Sequence, residues 1–357
     1  MKRILSVFLV LTMMVVIAGC STSSDNATNV ANGGDVAKGE NEANENEKDS
    51  LNVSMVTDVG GVNDLSFNQS AWEGMQRLEK DFDINVSYLE SKQESDYETN
   101  IQFLVDEESE LIYGIGYVMA DAIKNASELY TDCRFAIVDN SYGDETPENV
   151  VGISFKEHEA SFLVGYIAGK MTETNKVGFV GGVDFYIINK FQYGFMAGVA
   201  YANPEAEVYV QYAGSFGDAA AGKSIAEQFY SSGADVIYHA SGATGNGVIE
   251  AAKELDKWVI GVDRDQSDLA PDNVLTSAIK RVDNAVYNLT SELDNGNWLG
   301  GTTVEYGLAD GGVDIADTSN EHVPEEILDE VYKIKDEIIS GSIVVPENKE
   351  EFEASYN

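Results

Sequence analysis

From Leu51 onward, short apolar runs rich in β-branched residues alternate with segments whose apolar residues recur at helical spacing. This alternation restricts the fold more than any other feature, because each run that suits a buried strand is followed by a stretch long enough for a crossover helix. It predicts parallel sheets with helices on both faces. In the first half, strands are expected at 53–56, 85–89, 111–115 and 135–138, with helices at 69–81, 97–107 and 120–130. A second series begins near Lys176, with strands at 177–180, 207–212, 235–239 and 258–262 and helices at 190–202, 219–232 and 246–255. A body of about 300 residues suits two lobes of roughly 100–150 residues each. The remaining elements, expected at 273–279, 282–295 and 302–307, are too few for a third lobe and are predicted to cross back between the first two. A helix at 324–340 would complete the second. The fold class is therefore α/β, with two doubly wound lobes.

In such sheets ligands sit beyond the carboxyl ends of the strands, where loops diverge and helix N-termini converge. Asp58 follows the first strand, in a loop that continues through Asp64, Phe67 and Asn68, and Asp139 follows the fourth. In the second half the corresponding loops carry Phe216 between Gly214 and Gly217, then Gly242, then Asp263. Phe67 with Asp58 and Asp139 is expected to face Phe216 with Asp263 across a cleft. Two aromatic faces can sandwich a flat ring, while carboxylates accept hydrogen bonds from hydroxyl or ring N–H groups. A cleft lined by carboxylates repels phosphate, so the expected solute is uncharged. Each residue has a plainer use, since an aspartate after a strand often caps a turn and a phenylalanine often packs a rim. Their matched placement in both halves favours the ligand.

Gly242, Gly245 and Gly247 lack dinucleotide-binding spacing and suggest a tight turn that brings backbone close to a ligand. No P-loop, G-x-S-x-G or H-E-x-x-H motif is present. Asp58 with Asp64, or Asp263 with Asp265, offers an acid/base pair, but no nucleophile accompanies either, so binding rather than catalysis is expected. Neither a cofactor nor a metal is expected, the chain having 3 His and 2 Cys.

Lys2, Arg3, an apolar run over 4–17 and Ala18-Gly19-Cys20 form an export signal. The run is shorter than the roughly 20 residues of a membrane span. Ile17-Ala18-Gly19-Cys20 looks like a bacterial lipobox, which predicts a signal peptide over 1–20 and lipidation of Cys20. Residues 21–50 hold hardly any large apolar side chain and are expected to form a disordered acidic tether. A net charge of −40, from 62 acidic and 22 basic residues, argues against nucleic acid as a partner and suits a solubilising shell. Cys133 has no second thiol to pair with once Cys20 is lipidated, and a partly buried structural thiol is expected.

The run Asp58-Val59-Gly60-Gly61-Val62-Asn63-Asp64-Leu65-Ser66-Phe67-Asn68-Gln69-Ser70-Ala71-Trp72-Glu73-Gly74, with Val138-Asp139 and Val262-Asp263-Arg264-Asp265-Gln266, resembles the basic membrane protein family of ABC-transporter lipoproteins. The resemblance extends over the chain after Ser50. It implies the type I periplasmic-binding-protein fold, with lobes at 51–155 plus 281–307 and 156–280 plus 308–350 joined by a three-strand hinge. It further implies a monomer, lipid-anchored on the extracytoplasmic face of the cell membrane, that captures purine nucleosides (guanosine, inosine, adenosine) and passes them to ABC permease subunits with their ATPase. Residue by residue, Phe67 and Phe216 would sandwich the base, and Asp139 with Asn68 nearby would read the purine edge. Asp58, Asp263 and Lys280 would hold the ribose hydroxyls, and Gly242 would approach by its backbone. Arg264 departs from the family pattern, standing where a small polar residue is expected, and either points outward or reshapes the pocket. A sugar or autoinducer as ligand, a nucleoside hydrolase using Asp58 and Asp64 around a divalent ion, and a surface sensor without a transporter are the alternatives the residues leave open.

Overall fold

The computed structural model describes residues 50–356. The expected signal peptide with Cys20, and the tether apart from Ser50, lie outside the described residues. Two six-stranded sheets carry the body. The first is built from β1 (Leu51–Val56), β2 (Ile84–Leu89), β3 (Leu111–Ile115), β4 (Arg134–Val138), β5 (Val150–Phe155) and β11 (Thr302–Tyr306). Its strand order is β11-β5-β4-β3-β1-β2, with every neighbouring pair parallel. The second comprises β6 (Lys176–Gly181), β7 (Glu207–Tyr212), β8 (Val236–Ala240), β9 (Trp258–Asp263), β10 (Val274–Lys280) and β12 (Val313–Ile315), in the order β12-β10-β9-β8-β6-β7. Here β12 runs antiparallel to β10, so this sheet is mixed rather than wholly parallel. Such an antiparallel edge strand is common on doubly wound sheets.

Helices α1 (Phe67–Asp81), α2 (Tyr97–Asp106), α3 (Ala120–Leu129) and α8 (Val282–Asp294) cover the first sheet. The second is covered by α4 (Glu157–Met171), α5 (Tyr186–Ala202), α6 (Ala219–Ser231), α7 (Gly245–Leu255) and α9 (Glu325–Ile339), with α10 (Lys349–Tyr356) lying on α5. Central strands such as β3, buried along its whole length, read as continuous apolar runs because helices cover both faces. The chain leaves the first sheet after Phe155, returns after Lys280 and leaves again after Tyr306. These crossings are tied to one another by backbone bonds, Lys156 N–H donating to Tyr306 O at 2.9 Å and Arg281 N–H to Gly312 O at 2.8 Å.

The strands β5 and β12 and the helices α4 and α10 have no counterpart in the sequence reading. The reason is clearest for α4, where every residue from Ala160 to Gly169 is buried, so no polar face marks its period. Its backbone meets α5 directly: a Cβ on Gly198 would lie 2.0 Å from Phe162 O, so only glycine permits this approach. Cys133 is buried, with its Sγ 3.3 Å from Ser109 O, and burial pushes its thiol up to about 12, as an inert structural cysteine requires.

Candidate ligand-binding cleft

Between the carboxyl ends of the two sheets lies a cavity. All eight residues singled out from the sequence line it: Asp58, Phe67, Asn68, Asp139, Phe216, Gly242, Asp263 and Lys280. They reach it by different devices. Asp139 directly follows β4 and Asp263 ends β9, strands that occupy the same place in the two sheet orders, and both residues have φ +65°, a left-handed conformation uncommon outside glycine. At Asp263 the bend is a γ-turn, closed by Arg264 N–H donating to Val262 O at 2.7 Å. The phenylalanines come from unequal loops, Phe67 after β1 and Phe216 after β7. Phe216 depends on Gly182, where a Cβ would fall 2.3 Å from the ring.

Local bonds arrange the acids. Asp64 accepts from the backbone N–H of Ser66 (2.9 Å), Asn68 (2.9 Å) and Gln69 (3.1 Å), so it caps the start of α1. The Asn68 amide donates to Asp58 Oδ1 at 2.8 Å and to Asp64 Oδ2 at 3.0 Å. It therefore orients Asp58. Gly60 N–H also donates to Asp58 Oδ1, at 2.8 Å, and no bond to Asp58 Oδ2 forms among the described residues. Asp263 Oδ2 accepts a short bond from Ser66 Oγ, and its Oδ1 is likewise without a donor among the described residues. Asp265 does not line the cavity and accepts from Thr318 Oγ1 at 2.7 Å, so of the two acids of that motif only Asp263 reaches it.

Lys280 is grouped differently from the sequence expectation. Its Nζ donates to Asp139 at 2.6 and 2.7 Å and lies 3.0 Å from Glu157, a fully buried carboxylate at the start of α4. Three rings surround the ammonium, with Phe155, Phe67 and Phe191 at 5.0, 5.1 and 5.5 Å to their centroids. Burial works against the charge on Lys280, but Asp139, Glu157 and Asp263 hold it above the ordinary lysine value. Glu157 is held below its ordinary value: burial opposes its charge, and Lys280 and Lys190 outweigh burial. Burial raises Asp58 to about 6 against its bonds from Asn68 and Gly60, and raises Asp263 to about 7 against Lys280 and Ser66.

Sequence reasoning missed Tyr117, Ile187, Ile188 and Phe191, which wall the cavity, and Glu157 behind it. Tyr117 follows β3, a strand end that the strand-end rule already covers. The other three cavity residues sit on α5 among apolar neighbours and give no separate signal. The lobes are closed over the cavity: Tyr117 stacks on Phe185 of the other lobe with ring centroids 3.9 Å apart and planes 6° apart. Gln266 Nε2 donates across to Leu65 O at 3.0 Å, Asn246 Nδ2 to Asp64 O at 3.2 Å, and Tyr186 OH to Asp139 O at 3.2 Å.

Two α/β lobes joined by three crossings and closed over one cavity define a solute-binding protein of the type I periplasmic-binding-protein fold. Residues 51–349 match the family model described as ABC transporter substrate-binding protein PnrA-like. The chain belongs to this family, the basic membrane protein family of ABC-transporter substrate-binding proteins. It is 43% identical to the CD4+ T-cell-stimulating antigen of Listeria innocua serovar 6a, over 96% of this chain and 98% of that protein. It is 38% identical to the ABC transporter nucleoside-binding protein BmpA of Lactococcus lactis subsp. cremoris, over 97% of this chain and 99% of that one. Among solved structures, an ABC transporter system solute-binding protein from Aeropyrum pernix K1 is similar, with a TM-score of 0.76 and 27% identity, covering 85% of this chain and 96% of the other. Among the described residues no helix is long and apolar enough to cross a membrane.

Proposed function

We propose that the chain captures purine nucleosides in the interlobe cavity and delivers them to the permease and ATPase of an ABC importer, held at the outer face of the cell membrane by lipid on Cys20. The carrying observation is a cavity where two phenylalanines from different lobes meet three strand-end aspartates and a buried lysine. Phe67 and Phe216 stack on the base. Lys280 keeps Asp139 an anion, which accepts from an N–H on the purine edge, and Asn68 acts by orienting Asp58. The unoccupied acceptors, Asp58 Oδ2 and Asp263 Oδ1, take ribose hydroxyl donors, while Gly242 lets backbone approach. The likeness to a nucleoside-binding BmpA supports this choice. The cleft performs no chemistry: Asp64, the partner Asp58 would need as an acid/base pair, is engaged in capping α1, and release is left to the transporter.

Calorimetry with guanosine, inosine and adenosine is expected to give dissociation constants of about micromolar or tighter. Mass spectrometry of ligand co-purifying with the protein is expected to find a purine nucleoside. Heat with a pentose or hexose and none with any nucleoside overturns the reading in favour of a sugar receptor of the same fold. Release of hypoxanthine from inosine in the presence of calcium would make the chain a hydrolase instead.

A further inference from the structure

Arg264 interrupts the acid pair of the Val262–Gln266 motif, and nothing in the cavity uses it. The γ-turn at Asp263 explains where it goes. With φ +65° at Asp263, the two neighbouring side chains diverge: Asp263 lines the cavity, and Arg264 reaches across to α1 on the other lobe. There its Nε donates to Glu73 Oε2 at 3.1 Å and its Nη2 to Glu73 Oε1 at 2.8 Å, a two-pronged pairing. Glu73 is steadied by Gln69 Nε2 at 3.1 Å, one helical turn earlier. The pair sits on the wall of an open groove of about 870 Å³ outside the cavity, alongside Ser70, Arg281 and Asp283. Their side chains are only 24% and 39% exposed, so the pairing is partly shielded from solvent.

Most other contacts across the cleft are of a different kind, though the bond from Gln266 to Leu65 O also lies off the cavity lining. Ser66 with Asp263, Lys280 with Asp139 and Tyr117 with Phe185 each involve a residue that lines the cavity, so their contribution depends on what the cavity holds. The Arg264–Glu73 pair touches no ligand position, and it forms only when the lobes are together. A contact present in the closed state and absent from the open one shifts the balance toward closure by its own strength, whatever ligand is inside.

We propose that Arg264 and Glu73 form an interlobe latch that raises the closed fraction of the ligand-free protein and slows ligand release. The release arm rests on the nucleoside reading; the closure arm does not. Spin labels at Gln102→Cys and Lys253→Cys, exposed positions on opposite lobes, report the interlobe distance by double electron–electron resonance. Without ligand, Glu73→Ala, Arg264→Ser and the double variant are each expected to shift the distribution toward the open distance by the same amount, since removing either partner removes the whole latch. Stopped-flow release of bound nucleoside is expected to quicken about fivefold in all three, above the effect of an ordinary exposed pair because the geometry is two-pronged. Thermal melts check that the variants are folded. Unchanged distances in the single variants, or a double variant that opens by the sum of two independent effects, overturn the latch. If no nucleoside binds at all, the distance measurement still decides it.

Discussion

Asp139 and Asp263 lie at the ends of equivalent strands, share a left-handed φ of +65° and line one cavity, yet their surroundings diverge. Asp139 faces a fully buried lysine that touches both of its oxygens. Asp263 has only a serine hydroxyl against its carboxylate, and burial lifts it to about 7. Burial raises both acids, Asp139 to about 6 against the pull of Lys280 and Asp263 to about 7, so one backbone device repeated in two lobes yields a lysine-paired acid on one side and an acid without an ion-pair partner on the other. The hinge accounts for this asymmetry. β10 ends beside the crossing back to the first lobe, and Lys280, its last residue, points at the acid of the first lobe rather than that of its own.

The harshest way to break the contrast is Lys280→Met, which leaves Asp139 and Glu157 buried without their shared cation. Urea unfolding at pH 7.5 is expected to show a loss of about 3–5 kcal/mol. An unchanged midpoint would mean that the ion pair does not hold the hinge.

Asp263→Asn is expected to act in the opposite direction. The Asp263 carboxyl is raised from 3.8 to about 7, and that of Asp58 to about 6, so between pH 4 and 7 the folded protein binds protons that the unfolded chain has released. Stability contributed by these groups therefore falls as pH rises through that window. Replacing Asp263 by a neutral isostere is expected to stabilise the ligand-free protein at pH 7.5 by on the order of 2 kcal/mol, with the difference vanishing near pH 4. Melting curves of both proteins across this range measure it. Parallel curves at every pH would show that Asp263 does not titrate in the folded state.

A smaller effect sharpens the same comparison for the aromatics. Phe67→Ala and Phe216→Ala are each expected to weaken nucleoside binding about tenfold or more, or about 1.4 kcal/mol. Phe67→Ala is expected to cost more, because Lys280 also rests over that ring at 5.1 Å. Equal losses in calorimetry would place the whole effect in stacking and none in the cation.

Much of this was legible in the sequence because it is local. A strand whose helix-covered faces are both buried must be apolar throughout, as β3 is, and a surface helix such as α1 must repeat its apolar residues near every fourth position. Chain order then brings Asp58, Asp139 and Asp263 to strand ends. Where burial removed the pattern, reading failed: α4 is enclosed by α5, α9 and the second sheet and has no polar face to reveal it. Similarly, Ile187, Ile188 and Phe191 look like ordinary core until the lobes close over them.

By itself, then, the amino-acid sequence determined the two-lobe α/β architecture, the acids and aromatics available at the strand ends, and the family, all through short-range periodicity and contiguous motifs. Only the tertiary structure decided how those groups pair: that Asn68 serves Asp58, that Lys280 serves Asp139 and Glu157, and that Arg264 reaches Glu73 across the cleft. A charge's partner depends on which residues distant along the chain are brought within a few ångströms and shielded from water, and neither condition is written in local spacing.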